Sequence, residues 1–403
     1  GNTGRMSQYN NLAVYRGAVT ASAQLASNLF PAMCVGADRD SNVSLAPSSV
    51  TQACLLLGLG ADADTPVAKA TAEAVGWKKG ISNGDRQGFI DYMTSASKLP
   101  QQAKGFILRF ANGLFLNIDA RQEYIDECVN NASIGATVEK DADVQRINQW
   151  VSDKTDGGIN GILLGPPPDM ALVNAMVAKG TFTFPFDEDK TDKKGRFHLS
   201  DGTCVRVPMM HNNNLRETVF VQEGCYKACV MPFGEKAVGG YSLVVVLPDE
   251  DASMDAVIWS MCANGCQELL SVANASGRLT LDLMLPKCRV HDPDSKGSLK
   301  SVFDRIGLQG LFAQDSLGLI SSEASPPAAD DIIHMTDFNI TEVGCEVVAA
   351  TVVPVYRGMS QSQTMRVDRE FLVAIVHASS GEVIYMARVT DPAVIGLARV
   401  VGI

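Results

Sequence analysis

Thr341-Glu342-Val343-Gly344-Cys345-Glu346-Val347-Val348-Ala349-Ala350-Thr351 is a run of small, mostly uncharged, strand-compatible side chains without proline. It leads straight into Pro354-Val355-Tyr356-Arg357-Gly358-Met359-Ser360-Gln361-Ser362-Gln363, which reads as an exposed, protease-accessible loop. A segment suited to a central strand therefore runs into a segment suited to being cut. The pairing predicts a loop that moves from solvent into a sheet, and the rest of the chain must supply that sheet.

At 403 residues with 46% hydrophobic content, the chain can bury a large core, as one big domain or two ordinary ones. Its net charge of −11 argues against a nucleic-acid partner, which needs a basic face against phosphate. No apolar run reaches the roughly 18 residues that a membrane helix requires. The ten cysteines contain no CxxC pair, and Cys225 and Cys229 have no matching His/Cys pair elsewhere, so no metal site is expected. Cys54, in Ala53-Cys54-Leu55-Leu56-Leu57, reads as a small buried apolar residue. Reduced thiols and the lack of a signal-peptide h-region in residues 1–30 slightly favour an intracellular protein; secretion after removal of a leader stays open. The sequons at Asn42, Asn131, Asn274 and Asn339 weigh little, because chance supplies several in a chain of this length.

Helical periodicity dominates the first third: 9–30 (Leu12, Tyr15, Val19, Leu25, Leu29), 47–58, 64–76 and 143–155. Strands are predicted at 220–231, 241–247, 279–285, 334–350, 371–377 and 383–389. Val244-Val245-Val246-Leu247 is unbroken and apolar, as a strand covered on both faces would be. With no internal repeat and only the short patch Ser321–Asp331 of low complexity, the pattern favours one mixed α/β domain of several sheets with helices packed against them.

A catalytic site is hard to assemble. No GxSxG elbow, HExxH, Walker A, GxGxxG or EF-hand pattern occurs, and Gly157-Gly158-Ile159-Asn160-Gly161 lacks the Lys-Ser/Thr of a phosphate loop. The histidines at 198, 211, 291, 334 and 377 are far apart, and His334, at the start of a strand, reads as a buried hydrogen-bonded residue. The chain is therefore not expected to be an enzyme, and no cofactor is implied.

The signals that do exist run in one order. Ile147-Asn148-Gln149-Trp150-Val151 with Thr155 and Gly157-Gly158-Ile159, then Leu172-Val173-Asn174-Ala175 with Lys179-Gly180, resemble serpin motifs. So do Val207-Pro208-Met209-Met210, Leu247-Pro248-Asp249-Glu250, Leu285-Pro286-Lys287, and Phe371 through Arg388-Val389 to Pro392. From about residue 9 to 392 the chain resembles the serpin (serine protease inhibitor) family. That resemblance implies an α+β fold in one domain over 1–403, with three β-sheets and eight or nine α-helices. It also implies a reactive-centre loop over about 342–366, and it leaves the apolar tail 393–403 without a role.

It implies a mechanism as well. A serine protease cleaves the loop and is held as an acyl-enzyme while 342–356 inserts into the large sheet and drags it away. Insertion gains on the order of ten backbone hydrogen bonds at roughly 0.5–1.5 kcal/mol net each, so the uncleaved fold is expected to be metastable. The hinge is Glu342, Gly344, Cys345, Glu346, Val347, Val348, Ala349, Ala350 and Thr351, with Cys345 where Thr or Ser is usual and valines where alanines are usual. By the same carry-over Lys287 pairs with Glu342 at the insertion point. Ser49, Asn174 and His334 form a polar cluster at the sheet opening, with Ala46 standing for the usual first serine. Phe182 replaces the common Trp.

The scissile bond stays ambiguous. Counting from Glu342 places the cut after Gly358, counting back from Phe371 places it after Met359, before Ser360, and chemistry favours Arg357. The expected partners are serine proteases, trypsin-like first, with elastase-, chymotrypsin- or subtilisin-like ones open. No heparin stripe is visible around 80–105, and a monomer able to form loop-sheet polymers is expected. The alternative is a non-inhibitory serpin (carrier, chaperone or storage protein), favoured by the bulk of Val347 and Val348 and by Pro354, which lacks a ladder donor.

Overall fold

The computed structural model describes residues 14–393 except 78–89, 92–101, 104, 132–134, 162, 164, 167–168, 236–239, 292–297, 322, 327 and 346–361. Its strands are β1 (Val43–Leu45), β2 (Gln102–Ala103), β3 (Phe106–Leu116), β4 (Thr137–Lys140), β5 (Met170–Thr181), β6 (Asp192–His198), β7 (Cys204–Glu223) and β8 (Tyr226–Pro232). They continue with β9 (Tyr241–Pro248), β10 (Arg278–Pro286), β11 (Cys288–His291), β12 (Asp337–Ile340), β13 (Gly344–Cys345), β14 (Ser362–Arg366), β15 (Phe371–His377) and β16 (Glu382–Val389). Seven helices have defined bounds: α1 (Ala21–Gly36), α2 (Pro47–Gly60), α3 (Pro66–Ala74), α4 (Gln122–Asn130), α5 (Val144–Lys154), α6 (Met254–Ala273) and α7 (Lys300–Arg305). Non-helical backbone at Ala263–Cys266 breaks α6 into two segments.

Two sheets result. One has the order β1-β16-β15-β9-β8-β7-β10-β14 with β6 on β7; the other has β11-β12-β13-β5-β3-β2 with β4 on β3. The α+β class holds, but two of the three implied sheets are joined. The cause is β7, which bends at Glu217 (φ 50°) and pairs in turn with β6, β10 and β8. A single long strand thus carries the hydrogen-bond ladder from one sheet region into the next.

Burial follows from patterning. Every residue of α2 is buried, as a helix apolar on all sides should be. It lies in a core with α1, α3 and α6, under Val244 and Val246 of β9, while Val245 faces a second core between the sheets with Phe106, Leu108 and Phe338. On the outer face of the smaller sheet, α5 presents Ile147, Trp150 and Val151 at i, i+3 and i+4. Trp150 meets Phe115 edge-on at 5.5 Å. The same motif closes itself: Asn148 brackets Leu163 through both its amide atoms, and the Thr155 hydroxyl donates to Val151 O at 2.8 Å and accepts from Ile159 N at 3.1 Å.

Some expected boundaries moved. The first helix begins at Ala21, capped by Thr20, so Tyr15 and Val19 precede it. Tyr15 is held from irregular chain instead, its N–H donating to Ser271 Oγ at 2.8 Å. The strand expected over 220–231 is a hairpin turning at Gly224 (φ 59°). The strand expected over 334–350 is broken by a reversal at 341–344.

Candidate functional site at the mouth of the central sheet

Strands β5 and β12 run parallel, and their two ends differ. At one end Val173 bridges Ile333 directly. At the other, β13 sits between them, with Cys345 opposite Gly180 on β5 and Ile340 on β12, antiparallel to both. The backbone direction from Gly344 to Cys345 therefore runs along the seam toward Val173 and Ile333.

The reversal that delivers β13 is tight. Thr341 N donates to Gly344 O at 2.8 Å, and the Thr341 hydroxyl donates to the same oxygen at 3.2 Å. Gly344 has φ 153°, and a Cβ there would lie 1.9 Å from Gly180 O. Gly180 is equally constrained, since its Cβ would meet the rings of Phe106 and Phe233 at 2.6 Å. Glycine is needed at 344 because its backbone approaches that of Gly180 so closely, and at 180 because two aromatic rings fill the space a Cβ would take. Beside them Phe182 stacks on Phe233 at 5.3 Å and meets Phe186 edge-on at 6.4 Å. Phe182 N donates to Val343 O at 2.8 Å and Phe186 N to Glu342 O at 2.7 Å, so the aromatic plug is tied to the hinge by backbone rather than by an indole.

Lys287 Nζ lies 2.8 Å from Glu342 Oε2, and Thr191 Oγ1 donates to Oε1 at 3.0 Å. The carboxylate is buried. Burial pushes its pKa up, but the Lys287 hydrogen bond, a backbone hydrogen bond, Thr191 and the Lys287 charge together hold it below the usual range. Cys345 is 1% exposed among Cys288, Phe338 and Ile340, and burial raises its thiol well above the ordinary value. The other hinge residues (Glu346, Val347, Val348, Ala349, Ala350, Thr351) and the reactive-bond candidates (Arg357, Gly358, Met359, Ser360) lie outside the described residues.

Ser49, Asn174 and His334 are all buried, but no hydrogen bonds join them into the expected cluster. His334 Nε2 accepts from Ala46 N at 3.0 Å. Asn174 Nδ2 donates to Asn112 Oδ1, and Asn112 Nδ2 to Gln52 Oε1 at 2.8 Å. Ser49 Oγ has no partner among the described residues. With no hydroxyl at Ala46, its backbone N–H takes the imidazole, and the amide ladder from Gln52 to Asn174 does the bridging. Gln52, Asn112 and Thr191 were not read from the sequence, and Gly180 was read only as the end of the Lys179-Gly180 motif. The signal for Asn112 was an amide inside the apolar run Phe106–Leu116.

Burial lowers the His334 pKa to about 4. The ring is neutral in the fold, whereas in the unfolded chain it titrates near 6.5. Its contribution to stability is thus full above about pH 6.5 and lost as pH falls toward 4, on the order of 3 kcal/mol in all. Urea midpoints measured from pH 7 to pH 4 should fall more steeply in the native chain than in His334→Gln. Parallel curves would remove this assignment.

A family model described as serpin (serine protease inhibitor) matches residues 20–392. A serine protease inhibitor of Cyanea capillata is 25% identical over 388 residues, covering 92% of this chain and 98% of the relative. Among solved structures, the thermophilic serpin tengpin in its native state aligns with a TM-score of 0.77 and 22% identity, covering 93% of this chain and 94% of that one. Thyroxine-binding globulin in complex with thyroxine aligns with a TM-score of 0.74 and 21% identity, covering 93% and 99%. Fold, collinear motifs and a family match over nearly the whole length converge, and the chain belongs to the serpin family.

Proposed function

We propose that this serpin inhibits serine endopeptidases as a suicide substrate, trapping the acyl-enzyme by inserting 342–356 between β5 and β12. The observation that carries the reading is β13. Gly344 and Cys345 hydrogen-bond between those two strands, aimed along the seam that a longer inserted strand would fill. The family's action on serine proteases supports the partner class, and Arg357 favours a trypsin-like member, whose S1 aspartate suits a guanidinium.

Incubation with trypsin, followed by denaturing electrophoresis, should give a complex that survives SDS, together with a released C-terminal peptide beginning at Gly358. A peptide beginning at Met359 or Ser360 would move the scissile bond off Arg357 and point to elastase- or chymotrypsin-like targets. Cleaved chain without any complex, across trypsin, chymotrypsin, elastase and subtilisin, would overturn inhibition in favour of a carrier or storage role.

A further inference from the structure

A cavity of about 420 Å³ lies where the end of α1, strand β1, helix α7 and residues 334–336 meet. Its apolar wall is Met33, Val43, Leu299, Val302 and Met335. Two of its lining residues carry N–H groups that no described residue accepts. His334 is the first. Its Nε2 accepts from Ala46 N at 3.0 Å and the ring is neutral, so the proton sits on Nδ1. The side chain is 6% exposed, but Nδ1, unlike Ser49 Oγ, is not fully enclosed, and the cavity that His334 lines is its outlet. Arg305 is the second. Its Nη1 donates to Ala32 O at 2.7 Å, which seats the guanidinium at the C-terminal end of α1. Gly36 makes room for it, since a Cβ there would lie 2.0 Å from Nη1 and 2.7 Å from Nη2. Capping α1 uses Nη1 alone, and the Nε–Nη2 edge is unpaired among the described residues. That is the edge through which Arg289 holds Asp337, at 2.8 and 2.6 Å, in the two-bond geometry that suits a carboxylate. Asp38, the single acid among the lining residues, is exposed, so solvent screens its charge.

We propose that this cavity binds a small organic carboxylate whose apolar body carries one hydrogen-bond acceptor. Arg305 is exposed and His334 buried, so the carboxylate stays at the mouth, forked on the guanidinium. The body lies against Met33, Val302 and Met335, and its acceptor takes the Nδ1 proton. The volume falls in the range of small-molecule sites, roughly 300–1,000 Å³. Residues 334–336 run directly into β12, and Ser44 Oγ lies 2.6 Å from Thr336 Oγ1. A ligand spanning α7 and this segment therefore fastens the strand that must part from β5, and it slows loop insertion and polymerisation on heating. That consequence rests on the insertion reading, whereas the binding does not.

Titration calorimetry of the native full chain with para-hydroxyphenylpropionate should show saturable binding. The corresponding uncharged amide should bind roughly tenfold more weakly, the loss of one charge-assisted fork. Arg305→Gln, at an exposed position, should cost a similar factor. Gly36→Ala should do the same with every polar group retained, because its methyl displaces the guanidinium. Urea midpoints check the fold of both variants, and if either fails to fold, the amide comparison on the native chain decides. No saturable binding at millimolar carboxylate, equal affinity for the amide, or unchanged affinity in Arg305→Gln would overturn the site. Saturable, Arg305-dependent binding in a chain that forms no protease complex would uphold the site and discard only its link to insertion.

Discussion

Gly344→Val is expected to turn the proposed inhibitor into a substrate: the loop is still cut, but the SDS-stable complex largely disappears. The argument is steric. A Cβ at this position would stand 1.9 Å from Gly180 O and 3.0 Å from Thr181 Cα, both backbone atoms. Neither can retreat without breaking the pairing of Gly180 with Cys345 that seats the first hinge residues. Strain of this kind costs about 1–3 kcal/mol. On the insertion barrier that slows insertion by roughly ten- to a hundredfold. Deacylation is untouched by the change, so it wins the race. Under native conditions the Cys345 thiol of the variant should also react with an alkylating reagent that leaves the wild type unlabelled. Complex yield equal to wild type would show that hinge seating at Gly344 does not limit trapping.

Glu342→Lys should loosen the same corner and produce soluble polymers. The native carboxylate takes Lys287 at 2.8 Å and Thr191 at 3.0 Å. The substitution sets two ammonium groups against each other and leaves the Thr191 hydroxyl without its acceptor. Lys287 is 37% exposed, so solvent relieves part of the repulsion, and the cost falls near the low end for a broken buried pair, about 3 kcal/mol. With the corner open, β5 and β12 expose unpaired backbone groups, a template for a strand from another copy. Gel filtration after mild heating should show wild-type monomer persisting while the variant shifts to oligomers, and Glu342→Gln, which keeps a hydrogen-bond acceptor, should fall between. Unchanged monomer content in the lysine variant would dismiss the pair as a latch.

The sequence made some of this legible and hid the rest for identifiable reasons. β9 and β15 were readable because both faces are covered, and continuous Val, Leu and Ile admit few other readings. β3 and β5, which build the sheet being entered, were not predicted as strands. Phe106–Leu116 interrupts its apolar pattern with Arg109, Asn112 and Gly113, and Met170–Thr181 is diluted by alanine, methionine and lysine, which favour helix. Only the family resemblance at Leu172–Ala175 marked that segment. The Lys287–Glu342 pairing was named in advance through the resemblance, whereas Thr191 was not, because a partner 151 residues away leaves no local pattern. The expected polar cluster also differed. Ser49, Asn174 and His334 are buried, but the His334 imidazole accepts from the Ala46 backbone N–H and no hydrogen bond among the described residues joins the three.

The two sheets give the reactive segment a further property. β13 belongs to the smaller sheet, whereas β14, which resumes the chain at Ser362, lies parallel to β10 in the larger one. Residues 346–361 thus connect, along the chain, a strand of the smaller sheet to a strand of the larger one. Each end is fixed by ladder bonds, and loop closure restricts what the tether can do. A cut anywhere along it turns one constrained chain into two with a single free end each. The β14 side stays docked on β10, and the β13 side is already oriented down the seam. In the proposed mechanism this asymmetry makes the β13 side the fragment that travels.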